Sequence, residues 1–254
     1  MHWSEISPDP NAPQVRSFLT RELLDRRAGR ISNISDFVTN FVRDRSVLDI
    51  GVAQHDIAKV DSPTWKHEKI RKVAARTVGV DILEDQVHEL VRRGYDVRVA
   101  DATSAEDLGE RFDRVVVGDV IEHVGNPVAL LQFAKRHLKP GGLALFTTPN
   151  PLFIVYTLQA LRSGPLIPNA EHVSWISPTM ALELGHRADF PLSSYWHVQG
   201  EGKTLPRKFA VRLLSWLGIR DKEPFSGSFY YIFTAGSAER QDDCAVAMGN
   251  PLEQ

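Results

Sequence analysis

The segment Gly118-Asp119-Val120-Ile121-Glu122-His123 places two carboxylates and an imidazole directly after an apolar run. Asp119, Glu122 and His123 in a D-x-x-E-H pattern can do two things. They can hold a divalent cation that lowers the pKa of a bound hydroxyl, or they can form a hydrogen-bonded wall to a ligand pocket. A second imidazole, His172, lies in Asn169-Ala170-Glu171-His172-Val173. A neutral histidine near its ordinary pKa suits a general base at neutral pH, and His172 is preferred over His123 for that role. Three more carboxylates, Asp49, Asp81 and Asp101, each sit in or just after a short β-branched run, and Gly51 follows the first. A carboxylate only accepts hydrogen bonds, so it suits a diol or an exocyclic amine. Phe153, Tyr156, Trp175, Tyr195 and Trp196 offer aromatic faces for a sugar or a planar ring, with Tyr156 and Trp216 read more simply as core. His55, Trp65 and His67 form a smaller group, in which His67 is expected on a solvated helix face and Trp65 in packing.

Positioning these residues requires a sheet whose strand ends converge. Apolar, β-branched runs at 46–51, 77–81, 96–101, 113–119 and 142–148 alternate with helical patterns at 64–75, 84–93 and 127–138. The last helix is closed by LKPGG at 138–142. Strands alternating with helices imply βαβ units, a parallel sheet and right-handed crossovers. Ahead of them, 14–30 and 35–43 read as amphipathic helices, the second capped by Ser32 or Ser35. After Pro149, residues 152–162, 178–186 and 206–217 look helical, while 190–198 and 227–235 look extended and add edge strands to the same sheet. The expected fold is α/β: a doubly wound, mostly parallel seven-stranded sheet with N-terminal helices and a helical lid insertion. One domain is expected over 13–236, with a cofactor half at 46–151 and acceptor-side elements at 13–45 and 152–205. Residues 1–12 and the acidic 237–254 are expected as flexible ends.

Composition narrows the function classes. Thirty Lys+Arg against 32 Asp+Glu give a net charge of −2, which excludes a broadly basic, phosphate-binding surface, so no nucleic-acid partner is expected. Arg16, Arg21, Arg26, Arg27 and Arg30, and likewise Lys66, Lys69, Arg71, Lys72 and Arg76, read as solvated helix faces. The single Cys244 supports neither an intramolecular disulfide nor a cysteine zinc site and fits a reducing compartment. No apolar run is long enough to span a bilayer, and the start MHWSEISPDP lacks a leader pattern, so a cytoplasmic protein without a membrane partner is expected. The amphipathic N-terminal helices would serve equally to cover a site or to form a homodimer.

A dinucleotide fold would place G-x-G-x-x-G after the first strand, whereas this chain has Gly51-Val52-Ala53-Gln54-His55. A ligand without a pyrophosphate needs only the first glycine. VLDIG at 47–51, GVDI at 79–82, VADA at 99–102, FDRVVVGDVIEHVGNP at 112–127 and LKPGGLALFTTPNP at 138–151 resemble the successive motifs of class I S-adenosylmethionine-dependent methyltransferases. More loosely, the TPNP turn and EHVSWISPTMALELGHRADF at 171–190 are similar to bacterial small-molecule and glycan O-methyltransferases with ubiquinone-type methyltransferase motifs.

The resemblance implies S-adenosylmethionine as cofactor. Asp49 and Gly51, with Val52 beside them, would meet its methionine end, Asp81 the ribose diol and Ile82 the adenine. Asp101 would accept from the adenine amino group beside Ala102, and Gly118 would present backbone near the methionine moiety. It further implies transfer to a hydroxyl of a saccharide or other small molecule, with His172, His123 and Asp119 as catalytic candidates and Mg²⁺ an option at Asp119, Glu122 and His123. Asn150-Pro151 follows the fifth strand and not the fourth, unlike the amine-methylating motif of DNA enzymes, which points to oxygen as acceptor. The family's second glycine is Ala53 here and the third falls near His55. The rival readings are a nucleotide-dependent oxidoreductase on a similar fold and a non-catalytic methyltransferase-like scaffold.

Overall fold

The computed structural model describes residues 1–53, 57–165, 169–198 and 222–236. His55, the helix expected at 206–217 with Trp216, Cys244 and the acidic tail lie outside the described residues. In chain order the elements are α1 (Pro13–Arg26), β1 (Arg27–Ile31), α2 (Ile34–Val42), β2 (Ser46–Ile50), α3 (Lys66–Arg71), β3 (Arg76–Asp81), α4 (Glu84–Arg92) and β4 (Val97–Val99). They continue with β5 (Phe112–Gly118), α5 (Pro127–Arg136), β6 (Leu138–Pro149), α6 (Ile154–Ser163), α7 (Pro178–Arg187), β7 (Leu192–Val198) and β8 (Ser228–Thr234). The strands form one sheet in the order β1-β7-β8-β6-β5-β2-β3-β4. Every neighbouring pair is parallel except those that β8 makes with β6 and β7.

The sheet has eight strands where seven are expected, and the extra one is β1. Helical periodicity predicts one helix over 14–30, but α1 stops at Arg26, whose Nε donates to the Leu192 carbonyl at 2.9 Å. The following residues then pair with Tyr195 to Val198 of β7. Pairing with an otherwise open sheet edge outweighs local helix propensity here. The N-cap of α2 is Asn33, whose side chain accepts from the Asp36 amide at 3.2 Å, in place of Ser32 or Ser35.

The central strands are apolar on both faces because both are covered. In β5, Val115 and Val117 pack with Leu130, Leu131 and Phe133 of α5, while Val116 between them packs with Val38, Phe41 and Val42 of α2. The chain runs β2, β3, β4 toward one edge and β5, β6 toward the other, so the winding reverses between β2 and β5. Ligands of such sheets lie at the strands' carboxyl ends at this reversal. No described helix is long and apolar enough to cross a membrane.

Asn150 fixes the carboxyl end of β6. Its side chain is fully buried; Nδ2 donates to the carbonyls of Glu223 and Ser226, both at 2.7 Å, and Oδ1 accepts from the Leu152 amide at 2.8 Å. Both amide hydrogens are therefore used in structure, and the buried group is out of reach of a methyl acceptor. Asn150→Ala removes three hydrogen bonds to backbone groups, one of them the carbonyl of the buried Ser226, and should cost about 3 kcal/mol. Denaturant unfolding checks this, and a change well under 1 kcal/mol would show that these bonds are replaced by water.

Candidate functional site

The turn after β2 is built on Gly51, whose φ is +80°. A Cβ there would lie 2.3 Å from Val120 Cγ2, so only glycine lets the loops after β2 and β5 approach this closely. The Gly51 amide donates to the Val80 carbonyl at 2.9 Å, and the Ala53 amide donates to Asp81 Oδ2 at 2.8 Å. Asp81 Oδ1 accepts from the Leu83 amide at 3.0 Å. Asp81 thus pins the loop while each carboxylate oxygen keeps a lone pair for a ligand. Next to it Ile82 is 65% exposed, a large apolar face at the strand end with no packing role. Asp101 is also exposed, and its Oδ1 accepts from the Thr103 amide and hydroxyl at 2.8 and 2.7 Å. Ala102 lies half-buried beside it, packed on the core.

Asp49 points the other way. It is 4% exposed, and its Oδ2 accepts from Nδ1 of the buried His67 at 2.8 Å. His67 is therefore not on a solvated face: it fills the space beside Gly79 of β3, where an added Cβ would meet its ring at 3.0 Å. Trp65 Nε1 donates to the carbonyl of Val52, a residue that is itself buried, at 3.0 Å. Between Trp65 and His67, Lys66 reaches over Gly118, where a Cβ would lie 2.6 Å from its Nζ, and donates to Asp119 Oδ2 at 3.1 Å. Asp119 has a left-handed φ of +57°; its amide and its Oδ1 both bond Thr147 Oγ1, at 3.0 and 2.8 Å.

The metal set expected from sequence is not the set that converges. Ligand atoms of Glu122, His123 and His172 lie within 4.8 Å of one another, a group without Asp119, which bonds Thr147 and Lys66. His172 arrives there because the amides of Val173 and Ser174 donate to the Glu122 carbonyl at 2.9 and 3.1 Å, which ties the segment before α7 to the end of β5. The His123 and His172 rings meet edge to face at 4.8 Å. Glu122 is 2% exposed with neither carboxylate oxygen hydrogen-bonded, and His172 Nδ1 is buried without a partner. Burial, reinforced by Asp119, pushes the Glu122 carboxyl up to about 7, with Thr148 and Lys66 acting in the opposite direction. Burial and the neighbouring His123 hold His172 below the usual histidine range, so it is neutral at neutral pH.

An aromatic row leads away from this cluster: Trp175 meets His172 at 6.1 Å and Tyr156 at 5.7 Å, and Tyr156 meets Phe153 at 5.9 Å. Tyr156 is only half-buried, so it belongs to this row and not to the core. Tyr195 and Trp196 are 2% and 6% exposed inside β7 and pack in the core, apart from the row. A cavity of about 710 Å³ lies elsewhere, between α1 and α7, lined among others by Trp3, Phe18, Glu22 and Phe190. Lys66 and His67 escape sequence reasoning because helical spacing alone places them on a charged face. The available signal is their neighbourhood, since Trp65 and His67 flanking a lysine are poor choices for a face that only meets water.

A family model described as a methyltransferase domain matches residues 17–194, well over half of the chain. The chain is similar to the ubiquinone biosynthesis O-methyltransferase of Shewanella halifaxensis, at 24% identity over 62% of this chain and 68% of that protein. The same enzyme of Hydrogenovibrio crunogenus is 24% identical over 54% of this chain and 58% of that protein, and that of Dinoroseobacter shibae 36% identical over 41% of each. The match thus spans from under half to about two thirds of these relatives' lengths. In fold the chain is similar to S-adenosylmethionine-dependent methyltransferases of Archaeoglobus fulgidus and Thermotoga maritima. Their TM-scores are 0.50 and 0.52, with 16% and 17% identity, and both comparisons cover 87% of this chain and 93% of the other.

The raised Glu122 pKa has a definite sign for stability. Folding favours the protonated carboxyl, so the group costs nothing below its ordinary value of 4.5 and destabilises increasingly as pH rises to about 7. In chelator-treated protein, Glu122→Gln should match the wild type near pH 4 and exceed it by about 3 kcal/mol above pH 7. Unfolding free energy against pH checks this; parallel curves for the two proteins would show that Glu122 is solvated or paired.

Proposed function

Because the chain belongs to the class I S-adenosylmethionine-dependent methyltransferase family, we propose that it moves the cofactor's methyl group to a hydroxyl oxygen of a saccharide or other small molecule, with His172 as the base. The observation that carries this reading is the buried, unpartnered His172 Nδ1 at the mouth of β5, flanked by an aromatic row. The relatives' names, which specify O-methyl transfer, support oxygen as the acceptor atom.

The strand ends suit the cofactor. Gly51 admits close approach, Asp81 keeps acceptor capacity for a diol, and exposed Ile82 offers an apolar face to a planar base. Bound, S-adenosylmethionine supplies an electrophilic methyl carbon on a sulfonium. What remains for the protein is to position the hydroxyl and take its proton. His172, neutral at working pH, receives that proton on Nδ1, and the adjacent Glu122 carboxyl stabilises the resulting imidazolium once ionised. Phe153, Tyr156 and Trp175 hold a ring face of the acceptor.

A second reading rests on the convergence of Glu122, His123 and His172. Two imidazoles and one carboxylate fit a borderline transition ion better than Mg²⁺, which prefers an all-oxygen shell. In that case Glu122, His123 and His172 would hold the ion, which would lower the pKa of the acceptor hydroxyl so that its proton passes to water.

His172→Ala should lower turnover by about a hundredfold or more while leaving S-adenosylhomocysteine affinity within about twofold. Full activity in the variant would move the base elsewhere. Chelator treatment of the wild type separates the two roles. An unchanged rate supports His172 as base, and a lost rate restored by Mn²⁺ or Zn²⁺ makes it a ligand.

A further inference from the structure

The cofactor reading leaves one end of the molecule without charged partners. S-adenosylmethionine carries an amino acid opposite its adenosine, with an ammonium and a carboxylate on one carbon. With the adenosine against Asp81 and Ile82 at the end of β3, the amino acid extends past β2 toward β5, across the point where the sheet's winding reverses. Asp49, at the end of β2, is buried against His67 and does not face that space. At the end of β5 the charged groups are Lys66 and Asp119, a pair of opposite sign whose Nζ and Oδ2 are 3.1 Å apart.

We propose that Lys66 and Asp119 are the receptor for the zwitterionic end of the cofactor, Lys66 taking the carboxylate and Asp119 the ammonium. The inference rests on the chain's being S-adenosylmethionine-dependent and adds two binding residues to that reading. Each group has capacity to spare. An ammonium has three donors, of which Lys66 uses one on Asp119, and Asp119 Oδ1 is fixed by Thr147, leaving Oδ2 to be shared. The side chains are 35% and 53% exposed, open enough to be reached by a ligand.

Both residues are held in place more firmly than a surface ion pair requires. Lys66 is bracketed in sequence by Trp65 and His67, which are 4% and 1% exposed and bond the Val52 carbonyl and the Asp49 carboxylate on the floor of the site. Those two anchors fix the backbone from which Lys66 projects over Gly118. Asp119, in a left-handed conformation, is held by three hydrogen bonds to Thr147: its amide donates to the Thr147 carbonyl and hydroxyl, and its Oδ1 accepts from that hydroxyl. An exposed lysine–aspartate pair contributes little to stability. A preorganised pair that trades one internal contact for two ligand contacts gains its value from the ligand.

The test compares two ligands by calorimetric titration. S-adenosylhomocysteine has the amino-acid end, and methylthioadenosine shares the adenosine and thioether but lacks it. Lys66→Met and Asp119→Asn should each weaken S-adenosylhomocysteine by about tenfold or more and leave methylthioadenosine within about twofold, with Lys66→Arg recovering most of the loss. Unchanged S-adenosylhomocysteine affinity in both variants would overturn the proposal. So would a parallel loss for both ligands, which is the signature of a merely structural pair. Wild-type protein that binds neither ligand would overturn the cofactor reading itself.

Discussion

The left-handed turn at Gly51 is the constraint on which the rest of the site depends. With φ at +80° and Val120 Cγ2 occupying the place of a Cβ, the loops that follow β2 and β5 touch through a residue that has no side chain. That contact brings the chain from β2 close enough to β3 for Asp81 to capture the Ala53 amide, and close enough to β5 for Lys66 to cover Gly118. The absence of the family pattern's second glycine, Ala53 here, is thereby accounted for. Beyond the first glycine, the loop is held by the Asp81 carboxylate and by Trp65 and His67, side-chain anchors in place of further close backbone approach.

The end of β5 divides the site into two chemistries. Asp119 turns toward Lys66 and Thr147, on the cofactor side, while Glu122 and His123, in the turn that follows, meet His172 on the acceptor side. The left-handed backbone at Asp119 is where the two directions part. On the acceptor side, buried polar atoms without partners are held in place by apolar packing and by the backbone bonds from Val173 and Ser174 to Glu122. Unsatisfied buried groups of this kind destabilise a fold, and they persist where a reaction uses them.

Much of this was legible in the residues. The parallel order of β2 to β6 follows from β-branched runs alternating with helical patterns, and the strand-end positions of Asp81, Ile82, Asp101 and Gly118 follow from that order. Two kinds of feature were not. The eighth strand depends on β7 offering an open edge 166 residues away from Arg26, a tertiary fact that overrides the helical spacing of the segment before it. The orientation of side chains on short elements was hidden as well. Asp49 faces inward because His67 has come down from α3 to meet it, and Asp119 bonds Thr147 and Lys66, partners remote in sequence, instead of joining Glu122 and His123. His172, by contrast, stands out by residue type alone, and the fold places it against Glu122 and His123 only through backbone bonds remote in sequence.

The central claim is methyl transfer from S-adenosylmethionine to oxygen. It is tested most directly by incubating the full chain with cofactor carrying a trideuteriomethyl group and a panel of saccharides, phenols and carboxylates, followed by mass spectrometry of the products. The account predicts a trideuteriomethyl ether on a hydroxyl-bearing acceptor, formed together with S-adenosylhomocysteine. Label recovered on nitrogen or carbon, or no transfer to any hydroxyl by protein that binds S-adenosylhomocysteine, would contradict it.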